Sequence, residues 1–583
     1  MKKTKIVCTA GPSTDKPGVF EKMLAAGMNV VRFNFSHGSH EEQAGRIDMA
    51  RKAAAQSGKN IGLLLDTKGP EMRLGRFAAG KVTLTAGATF ILTGKEVNGD
   101  ENMASVSYSE LPKEVAPGNF ILLSDGLISL KVEKVEGDKI VTTVQNSGQI
   151  SDLKRVAVPG VGIKLPFLSE RDEADILFGV EKDMDFIAAS FVQRAEDILA
   201  IRKVLESAGA AMDIIAKIEN AEGVKNIDEI LKVADGVMVA RGDLGVEIPA
   251  EEVPLIQKQL IEKCNKAGKP VITATQMLES MTANPRPTRA EASDIANAIL
   301  DGTDAIMLSG ETASGKYPVE AVETMARIAI HTEDALNYGC ILQSKGIGGH
   351  STTTNAISHA TVQVSHELGA AAIITATQSG YTARMVSKYR PNAAIVAVTP
   401  LEKTLRRLTL LWGVHPLLGG DSADSDKMVT EAVAAALTTQ YVKEGDLVVI
   451  TAGLPARMSG TTNMIRVHTV GNILVRGVGI GQNAKTGKVC LAVNGRDLAQ
   501  RFQSGDILVV SGIDDETAGY AAKAAAIVAE EGGLTSHAAI IGISYGLPVI
   551  VGADGATNLL TDGMVVTVDA ARGLVYQGEI NAR

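Results

Sequence analysis

Charged and hydroxyl side chains follow a series of short apolar runs in the first half of the chain. Lys217 and Glu219 lie two residues apart in one run, so they share a face if that run is a β-strand. Arg241 and Asp243 follow the next run. Cations bind anionic substrates, and carboxylate oxygens suit a hard metal ion, so phosphoryl chemistry is the first hypothesis. The other polar residues near the ends of such runs are Arg32, Asn34, Ser36, His37, Asp66, Thr67, Arg73, Thr275 and Ser309.

The runs that carry these residues alternate with segments of helical period, which is typical of βα units. Eight parallel strands predict a (β/α)8 barrel, in which the chemistry lies at the carboxyl ends of the strands. The eight runs are KIVCTAG, NVVRFNFSHG, IGLLLDTKGPE, DFIAASFV, DIIAKIENAEG, GVMVARGDLG, PVITATQML and AIMLSGETA.

Three further modules are predicted from changes in the pattern. Residues 71–167 alternate apolar and polar positions with turn pairs such as Glu136-Gly137, which predicts an inserted antiparallel β-barrel lid. Residues 339–470 again alternate strand and helix patterns and predict an open α/β domain. Residues 471–583 predict a small appended α/β domain, and 1–70 with 168–338 remain as the two parts of the barrel.

Composition limits the classes of function. The 583 residues are enough for about four domains. A balance of 58 basic and 67 acidic side chains, net −9, argues against binding to nucleic acid or to membrane surfaces. Four scattered cysteines and the absence of a long apolar segment indicate a soluble protein of the cytoplasm. Sparse histidines before residue 340 disfavour a His-ligated metal, and Mg²⁺ held by oxygen ligands fits better.

Each motif also has an ordinary structural explanation. A Lys-x-Glu pair on a strand is most often a salt bridge, and an Arg-Gly-Asp triplet is most often a turn. Their joint position at the strand ends of one predicted barrel favours a functional site.

Seven segments together resemble the pyruvate kinase family, of the bacterial type with an extra C-terminal domain. The resemblance covers roughly residues 1 to 470. It implies phosphoryl transfer from phosphoenolpyruvate to ADP, giving pyruvate and ATP, with Mg²⁺ (or Mn²⁺) and K⁺ as cofactors, and a homotetramer. The segments are RFNFSHG, LLDTKGPE, IAKIEN, ARGDLGVE, TATQMLESM, PRPTRAE and LSGETA.

The resemblance also implies roles for single residues. Glu219 and Asp243 match the Mg²⁺ ligands, and Lys217 would lie in line with the transferring phosphoryl group. Arg32 would bind the phosphate, while Thr275 and the backbone at Gly242 and Asp243 would bind the substrate carboxylate. Ser309 matches a residue of the relay that protonates the enolate. The matches to K⁺ ligands are Asn34, Ser36, Asp66 and Thr67, and those near the nucleotide are Pro12, Asn34, His37 and Arg73.

Two positions bear on cation and nucleotide requirements. Glu71 stands where potassium-independent members carry Lys, which predicts a K⁺ requirement, since an ammonium could replace the K⁺ charge and a carboxylate could not. Glu42 stands where some members have a Tyr against the adenine, so the preferred nucleotide stays open.

A hydroxyl-rich loop in the third module is a candidate effector site. Such a loop between a strand and a helix can bind phosphate, or it can be an ordinary N-cap. The segment matches the sugar-phosphate effector loop of the family, but Gln378 and Tyr381 replace the Lys and Arg of some fructose-bisphosphate-activated members. A sugar monophosphate or a nucleotide is the expected effector. The loop residues are Thr377, Ser379, Gly380 and Thr382.

The tail sequence GGLTSHAA resembles the phosphohistidine segment of the mobile domain in phosphoenolpyruvate-utilising enzymes. His537 is the histidine of that segment. Either it carries phosphate, or the domain is retained for structural contacts with its neighbours.

Three functions stay open on the residues alone. The first is a pyruvate kinase. The second is a lyase or mutase on the phosphoenolpyruvate/pyruvate type of barrel, which would share the Mg²⁺ carboxylates but would need neither the lid nor the K⁺ ligands. The third is a catalytically silent sensor of phosphorylated metabolites, which would bind substrate without turnover.

Overall fold

A computed structural model describes residues 2–346, 352–422, 424–454, 460–492 and 495–579. Strands and helices alternate from the start of the chain. Every residue of the first and third strands is buried, because the strands of a parallel barrel are covered on both faces. The elements are β1 (Lys5–Thr9), α1 (Val19–Ala26), β2 (Val30–Asn34), α2 (His40–Ser57) and β3 (Gly62–Asp66).

An almost entirely antiparallel β-module follows β3. Seven of its strands form one sheet in the order β4-β12-β8-β9-β10-β6-β7, and β5 pairs with β11. Gly137, with φ of 64°, turns the chain between β9 and β10, as the Glu136-Gly137 pair predicts. The elements are β4 (Met72–Arg73), β5 (Lys81–Leu84), β6 (Thr89–Thr93), β7 (Met103–Ser105), α3 (Leu111–Glu114), β8 (Phe120–Leu123), β9 (Ile128–Glu136), β10 (Lys139–Val144), β11 (Gly148–Ser151) and β12 (Arg155–Ala157).

The chain then returns to complete the barrel. The elements are α4 (Glu170–Glu181), β13 (Phe186–Ala189), α5 (Ala195–Ser207), β14 (Asp213–Ile218), α6 (Ala221–Lys225), α7 (Ile227–Val233), β15 (Gly236–Ala240), α8 (Arg241–Glu247), α9 (Val253–Ala267), β16 (Val271–Ala274), α10 (Arg289–Asp301), β17 (Ala305–Leu308), α11 (Gly310–Ala313) and α12 (Pro318–Asp334).

All eight predicted barrel strands are present. They close in the order β1-β17-β16-β15-β14-β13-β3-β2, and every neighbouring pair is parallel. The barrel interior is filled by one inward-facing set of apolar side chains, including Val7, Leu64, Ile215 and Ile272. The predicted fold class is therefore confirmed.

An open α/β module packs beside the barrel. Its sheet has the order β20-β19-β18-β21-β22, with only β22 antiparallel. Arg390 and Arg406 hold it to the barrel through Asp304 and Asp185, each at 2.8 Å. The elements are α13 (Tyr338–Ser344), α14 (Thr353–Glu367), β18 (Ala372–Ala376), α15 (Tyr381–Ser387), β19 (Ala394–Thr399), α16 (Glu402–Arg407), β20 (Val414–Leu418), α17 (Ser425–Leu437), β21 (Leu447–Ala452) and β22 (Met464–Thr469).

The last module is an eight-stranded sheet in the order β23-β30-β29-β25-β26-β27-β28-β24, with two hydrophobic clusters of its own. Its elements are β23 (Ile473–Arg476), β24 (Val478–Ile480), β25 (Ala484–Leu491), α18 (Gly495–Arg501), β26 (Ile507–Val510), α19 (Asp515–Ala521), β27 (Ala526–Ala529), α20 (His537–Tyr545), β28 (Val549–Val551), α21 (Ala556–Leu559), β29 (Val565–Asp569) and β30 (Leu574–Gln577). Among the described residues, no helix has the length and apolarity to span a membrane. The domain boundaries drawn from the sequence stay predictions.

Candidate active site

Lys217 lies at the centre of a buried polar cluster at the carboxyl ends of three neighbouring barrel strands. Its Nζ donates to Asp66 Oδ1 at 3.0 Å and to Ser190 Oγ at 2.7 Å, and it lies 3.0 Å from Glu219 Oε1. The lysine is only 8% exposed. Burial by itself lowers the pKa of an ammonium, but the Asp66 and Glu219 carboxylates hold the pKa of Lys217 above its ordinary value. The cluster therefore keeps a charged lysine inside the barrel mouth.

Arg32 shares the Asp66 carboxylate with this lysine. Its Nε donates to Asp66 Oδ2 at 2.5 Å, and its Nη1 donates to Thr9 Oγ1 at 3.0 Å. Burial alone would raise the pKa of Asp66, but the two cations hold that pKa below its usual range. One carboxylate thus orients two cations toward the same mouth.

Glu219 is 1% exposed. Its Oε2 accepts a hydrogen bond from the Phe191 backbone N–H at 2.7 Å, and its Oε1 is ion-paired with Lys217 Nζ at 3.0 Å. Burial raises the pKa of Glu219 above its ordinary value, against the opposing effect of Lys217. A carboxylate oxygen has more than one lone pair, so this buried carboxylate is chemically suited to bind a cation as well.

Asp243 is the second predicted metal ligand, and a cation from the inserted module contacts it. Arg155 of β12 donates from Nη1 to Asp243 Oδ1 in α8. The Arg155 guanidinium also lies over the Phe191 ring, with Cζ 4.7 Å from the centroid. The β-module is therefore held to the barrel mouth through a candidate metal ligand.

Thr275 has a strained backbone beside Gly242. Its φ is 68°, which is rare for a β-branched residue and characteristic of functional sites. Its Oγ1 accepts a hydrogen bond from the Gly242 N–H at 2.7 Å. Arg241 secures this loop by donating from Nη2 to Thr275 O and from Nη1 to Asp294, each at 2.7 Å. Arg241, which the sequence suggests as a cation for the substrate, is thus a positioning residue for Thr275.

The four predicted K⁺ ligands lie together at the ends of β2 and β3, where Asn34 is paired in register with Asp66. Asn34 Oδ1 accepts from the Ser36 N–H at 3.0 Å, and Thr67 Oγ1 accepts from the Ser190 N–H at 3.1 Å. These oxygens form a polar group adjoining the Lys217 cluster through Asp66.

The remaining predicted residues lie nearer the rim. Pro12 and His37 are exposed. Arg73 is paired with Glu71: the Arg73 Nη2 donates to Glu71 Oε2 at 2.6 Å. Ser309 follows β17, and its backbone N–H donates to Glu311 Oε2 at 2.7 Å.

The predicted effector loop lines a small cavity of about 70 Å³. Thr377 Oγ1 accepts from the Gly380 N–H at 3.0 Å, and Thr382 Oγ1 lies 3.0 Å from Thr462 Oγ1. Asp421 and Glu431 also line the cavity, and the described lining includes no Lys or Arg. The described walls therefore offer hydroxyl and backbone groups, but no cation, to a phosphate.

His537 is exposed at the start of α20 in the last module. Its Nδ1 lies 3.0 Å from Ile513 O. A carbonyl can only accept, so this contact assigns the proton to Nδ1 and leaves Nε2 as the unprotonated nitrogen of a neutral ring.

Three contributors were missed at the level of sequence. Ser190 joins Lys217 to Asp66, Arg155 reaches Asp243, and Glu311 holds two loops through the Ser309 and Leu278 N–H groups. Ser190 lies in the predicted run DFIAASFV and directly follows β13, so its place near the end of a strand was a usable signal. Nothing in local sequence distinguishes Arg155, because its partner is 88 residues away.

Comparison with family models matches three segments of the chain. Residues 1–322 match the pyruvate kinase barrel domain, and residues 355–468 match the pyruvate kinase alpha/beta domain. Residues 502–573 match the mobile domain of phosphoenolpyruvate-utilising enzymes.

Three relatives that match over nearly the whole chain are named pyruvate kinase. Pyruvate kinases of Geobacillus stearothermophilus and Bacillus licheniformis are 53% and 52% identical to this chain, each covering 99% of both sequences. The one from Staphylococcus aureus (strain COL) is 48% identical over the full length of both. A crystal structure of a pyruvate kinase from Cryptosporidium parvum is similar with a TM-score of 0.76 and 39% identity, covering 80% of this chain and 96% of that one.

Proposed function

The chain belongs to the pyruvate kinase family, and on that premise we propose that it transfers the phosphoryl group of phosphoenolpyruvate to ADP. The products are pyruvate and ATP, and the protein is a phosphotransferase. The observation that carries the proposal is the buried cluster of Lys217, Arg32 and two carboxylates at the carboxyl ends of the barrel strands. Phosphoryl transfer needs positioned positive charge more than covalent help, and this cluster supplies it.

The donor set fits Mg²⁺. Mg²⁺ is commonly held by one or two carboxylates, with substrate oxygens and waters completing its coordination. Glu219 provides a buried carboxylate, and Asp243 lies on the adjacent helix α8. When bound, Mg²⁺ would supply charge beside the phosphoryl and enolate oxygens.

Side chains and backbone of the barrel have separate roles in the proposed reaction. Lys217 neutralises charge on the phosphoryl group in transfer, and Arg32 binds the phosphate. Thr275 and the Gly242 backbone, held in place by Arg241, receive the substrate carboxylate. Ser309 belongs to the relay that delivers a proton to the enolate.

A monovalent cation fits the oxygens at the ends of β2 and β3. Asn34, Ser36, Asp66 and Thr67 would hold K⁺, which would supply a fixed positive charge next to the phosphate subsite. Glu71 adds no cation of its own and instead neutralises Arg73. We therefore propose that turnover requires K⁺.

The nucleotide enters from the rim, where Pro12, Asn34, His37 and Arg73 would contact it. The β-module would close over the mouth, so that phosphate passes to ADP and not to water. Its contact with Asp243 through Arg155 supports this role.

The proposal extends to regulation and assembly. A phosphorylated effector would bind at Thr377, Ser379, Gly380 and Thr382, and the protein would be a homotetramer. His537 keeps both alternatives, a phosphoryl carrier or part of a domain retained for structural contacts. The cytoplasm is the proposed compartment, and all four cysteines are free thiols.

The decisive experiment measures pyruvate formation from phosphoenolpyruvate and ADP with Mg²⁺, in K⁺, Na⁺ or a bulky organic cation. Turnover that rises strongly with K⁺ supports both the reaction and the cation ligands. Turnover that ignores K⁺ would retain the kinase and reject the cation site. A folded protein that binds phosphoenolpyruvate without turnover would instead be a sensor.

A further inference from the structure

A large cavity lies between the barrel and the α/β module, far from the strand ends that form the active site. It has a volume of about 680 Å³, within the range of small-molecule sites. One wall comes from the barrel helices α9 and α10. The opposite wall comes from α13, α14 and residues 388–390 after α15, with Trp412.

One side of this cavity is formed by Arg390 and the polar groups that hydrogen-bond to it. Arg390 is 4% exposed and donates to Asp304 at 2.8 Å and to Gly302 O at 2.8 Å. Its φ of 51° is a conformation that usually selects glycine, and these contacts offset the strain. Asn265 Oδ1 accepts from both Arg390 Nη2 and Lys345 Nζ, at 3.0 and 2.9 Å. The neutral amide oxygen of Asn265 therefore accepts hydrogen bonds from two cationic side chains.

Two lysines of the cavity are not matched by acids. Lys345 donates to Asn265, and Lys388 donates to Asn355 Oδ1 at 3.2 Å. Among the described residues, neither ammonium has a carboxylate within 4 Å, whereas the acids of the lining, Glu262 and Asp301, are already paired with Lys266 and Lys258. A sheltered ammonium without a counter-ion is costly.

The electrostatics follow from that imbalance. Burial, with Arg390 and Lys388 nearby, lowers the pKa of Lys345 to about 7. Burial also lowers the pKa of Lys388. An anion placed between the two lysines would offset both effects, because it supplies the counter-charge that the protein lacks.

Apart from its charged and amide residues, Ser344 and its glycines, the described lining is apolar and aromatic. Trp412 and Tyr389 are each 2% exposed, and Leu336 and Ile341 complete that side. The cavity thus combines unpaired lysines with apolar and aromatic side chains, a composition that suits an amphiphilic small molecule.

We propose that this cavity is a second ligand site that binds a small organic anion. Lys345 and Lys388 hold its phosphate, sulfonate or carboxylate group, and its apolar body lies beside Trp412. Because the two lysines are anchored to Asn265 on the barrel and Asn355 on the α/β module, the ligand joins the two modules. The site stands independently of the proposed reaction.

The chain offers a direct reporter, since Trp412 is its one tryptophan. Phenyl phosphate serves as the probe, with inorganic phosphate and neutral benzyl alcohol as partial probes. We expect a saturable change of Trp412 fluorescence with phenyl phosphate, and much weaker binding of either partial probe.

The double variant Lys345→Met, Lys388→Met should weaken phenyl phosphate binding by about tenfold or more, about 1.4 kcal/mol per tenfold. Lys266→Met is the matched control, because Lys266 lines the same cavity but is paired with Glu262 at 2.6 Å. The control should bind as the native protein does. If the double variant is poorly folded, Lys345→Met alone should still remove most of the rise in unfolding temperature that phenyl phosphate produces.

The proposal is overturned if Trp412 fluorescence shows no saturable response, or if the lysine variants bind as tightly as Lys266→Met. Equal affinity for benzyl alcohol would also overturn it, because the lysines would then have no role. Loss of the response in Ser379→Ala would assign the signal to the effector loop and not to this cavity.

Discussion

At the scale of single residues, the active site depends on shared counter-ions. Asp66 accepts from both Arg32 and Lys217, and Lys217 in turn lies between Asp66 and Glu219. Removing one member leaves the others with unbalanced buried charge, which is more costly than losing a surface pair. Substitutions here will therefore affect both charge stabilisation and local geometry, and the experiments must separate the two.

Lys217→Met tests the role of the lysine in transfer. The change removes the ammonium while retaining much of the apolar stem, so we expect kcat to fall by roughly 100-fold or more, as when a charge-stabilising donor is removed. Binding of Mn²⁺, measured by electron paramagnetic resonance, should persist. Lys225→Met, an exposed lysine on α6, is the control and should retain full activity. Near-native turnover in Lys217→Met would remove the lysine from the mechanism.

Glu71→Lys tests the monovalent-cation argument. The new ammonium would supply a positive charge, so the ratio of rates in K⁺ and Na⁺ should fall toward one. Arg73 also loses its partner at 2.6 Å, so the maximal rate should drop as well. Glu71→Gln removes the carboxylate without adding a cation and should keep the K⁺ dependence. If Glu71→Lys shows the native K⁺ dependence, the argument fails.

At the scale of elements, the carboxyl ends of the barrel strands concentrate both backbone strain and the candidate site residues. Phe191, Thr275 and Gln276 follow β13 and β16 with φ between 55° and 68°. Left-handed backbone at non-glycine residues costs of order 1–3 kcal/mol each and persists only where the surroundings impose it. Here those surroundings are the Glu219 carboxylate, which accepts from Phe191 N–H, and Arg241, which donates to Thr275 O.

The contact between β12 and α8 predicts a competition for Asp243. Arg155 donates to an oxygen that the proposed Mg²⁺ site would use, so metal binding there would displace Arg155 or share the carboxylate with it. Arg155→Met should tighten Mn²⁺ binding to the substrate-free protein several-fold, as measured by electron paramagnetic resonance. Arg155→Lys keeps the positive charge, so its Mn²⁺ affinity should lie between those of the native protein and Arg155→Met. Unchanged Mn²⁺ affinity in Arg155→Met would show that the contact does not limit access to the metal site.

At the scale of the whole molecule, separate modules meet through buried polar contacts. Lys5 of β1 is 3% exposed and donates to Val414 O of the α/β module at 2.6 Å. Burial, with Lys2 nearby, lowers the pKa of Lys5 to about 7. Above that pH the folded state releases a proton that the unfolded chain retains, so stability rises with pH from about 7 toward the ordinary lysine range.

Lys5→Met isolates this contribution. The native protein should gain stability relative to the variant between pH 7 and pH 9, by on the order of 1 kcal/mol per pH unit. Denaturant unfolding at several pH values measures the difference. Lys22→Met, on the exposed face of α1, is the control. Its free energy of unfolding should change with pH as that of the native protein does. Parallel curves for Lys5→Met would show that Lys5 does not titrate in this window.

Truncation after Val470 tests whether the last module is needed for chemistry. That module has its own sheet and its own hydrophobic clusters, while Val470 is hydrogen-bonded within the α/β module. Residues 1–470 should therefore fold and turn over substrate, with altered thermal stability or effector response. His537→Ala in the full chain should leave basal turnover unchanged. A folded tetrameric truncation without activity would show that the tail is catalytic.

Much of this architecture was readable from the sequence, because the signals are local. Eight apolar runs with polar ends predicted eight barrel strands, since period and burial are properties of a few consecutive residues. The Lys217 and Glu219 pair was identifiable for the same reason, because alternate residues of a strand share a face. The segments that resemble pyruvate kinases added roles that no periodicity could supply.

Only the tertiary structure decided which side chains share partners. Arg155 meets Asp243 because β12 folds back over the barrel, and Lys345 meets Asn265 because α13 packs near α9. These pairs are separated by 88 and 80 residues, and no local pattern encodes such contacts. The sequence by itself determined which chemistry each strand end could offer, and the closing of the barrel and the packing of the modules determined which of those groups act together.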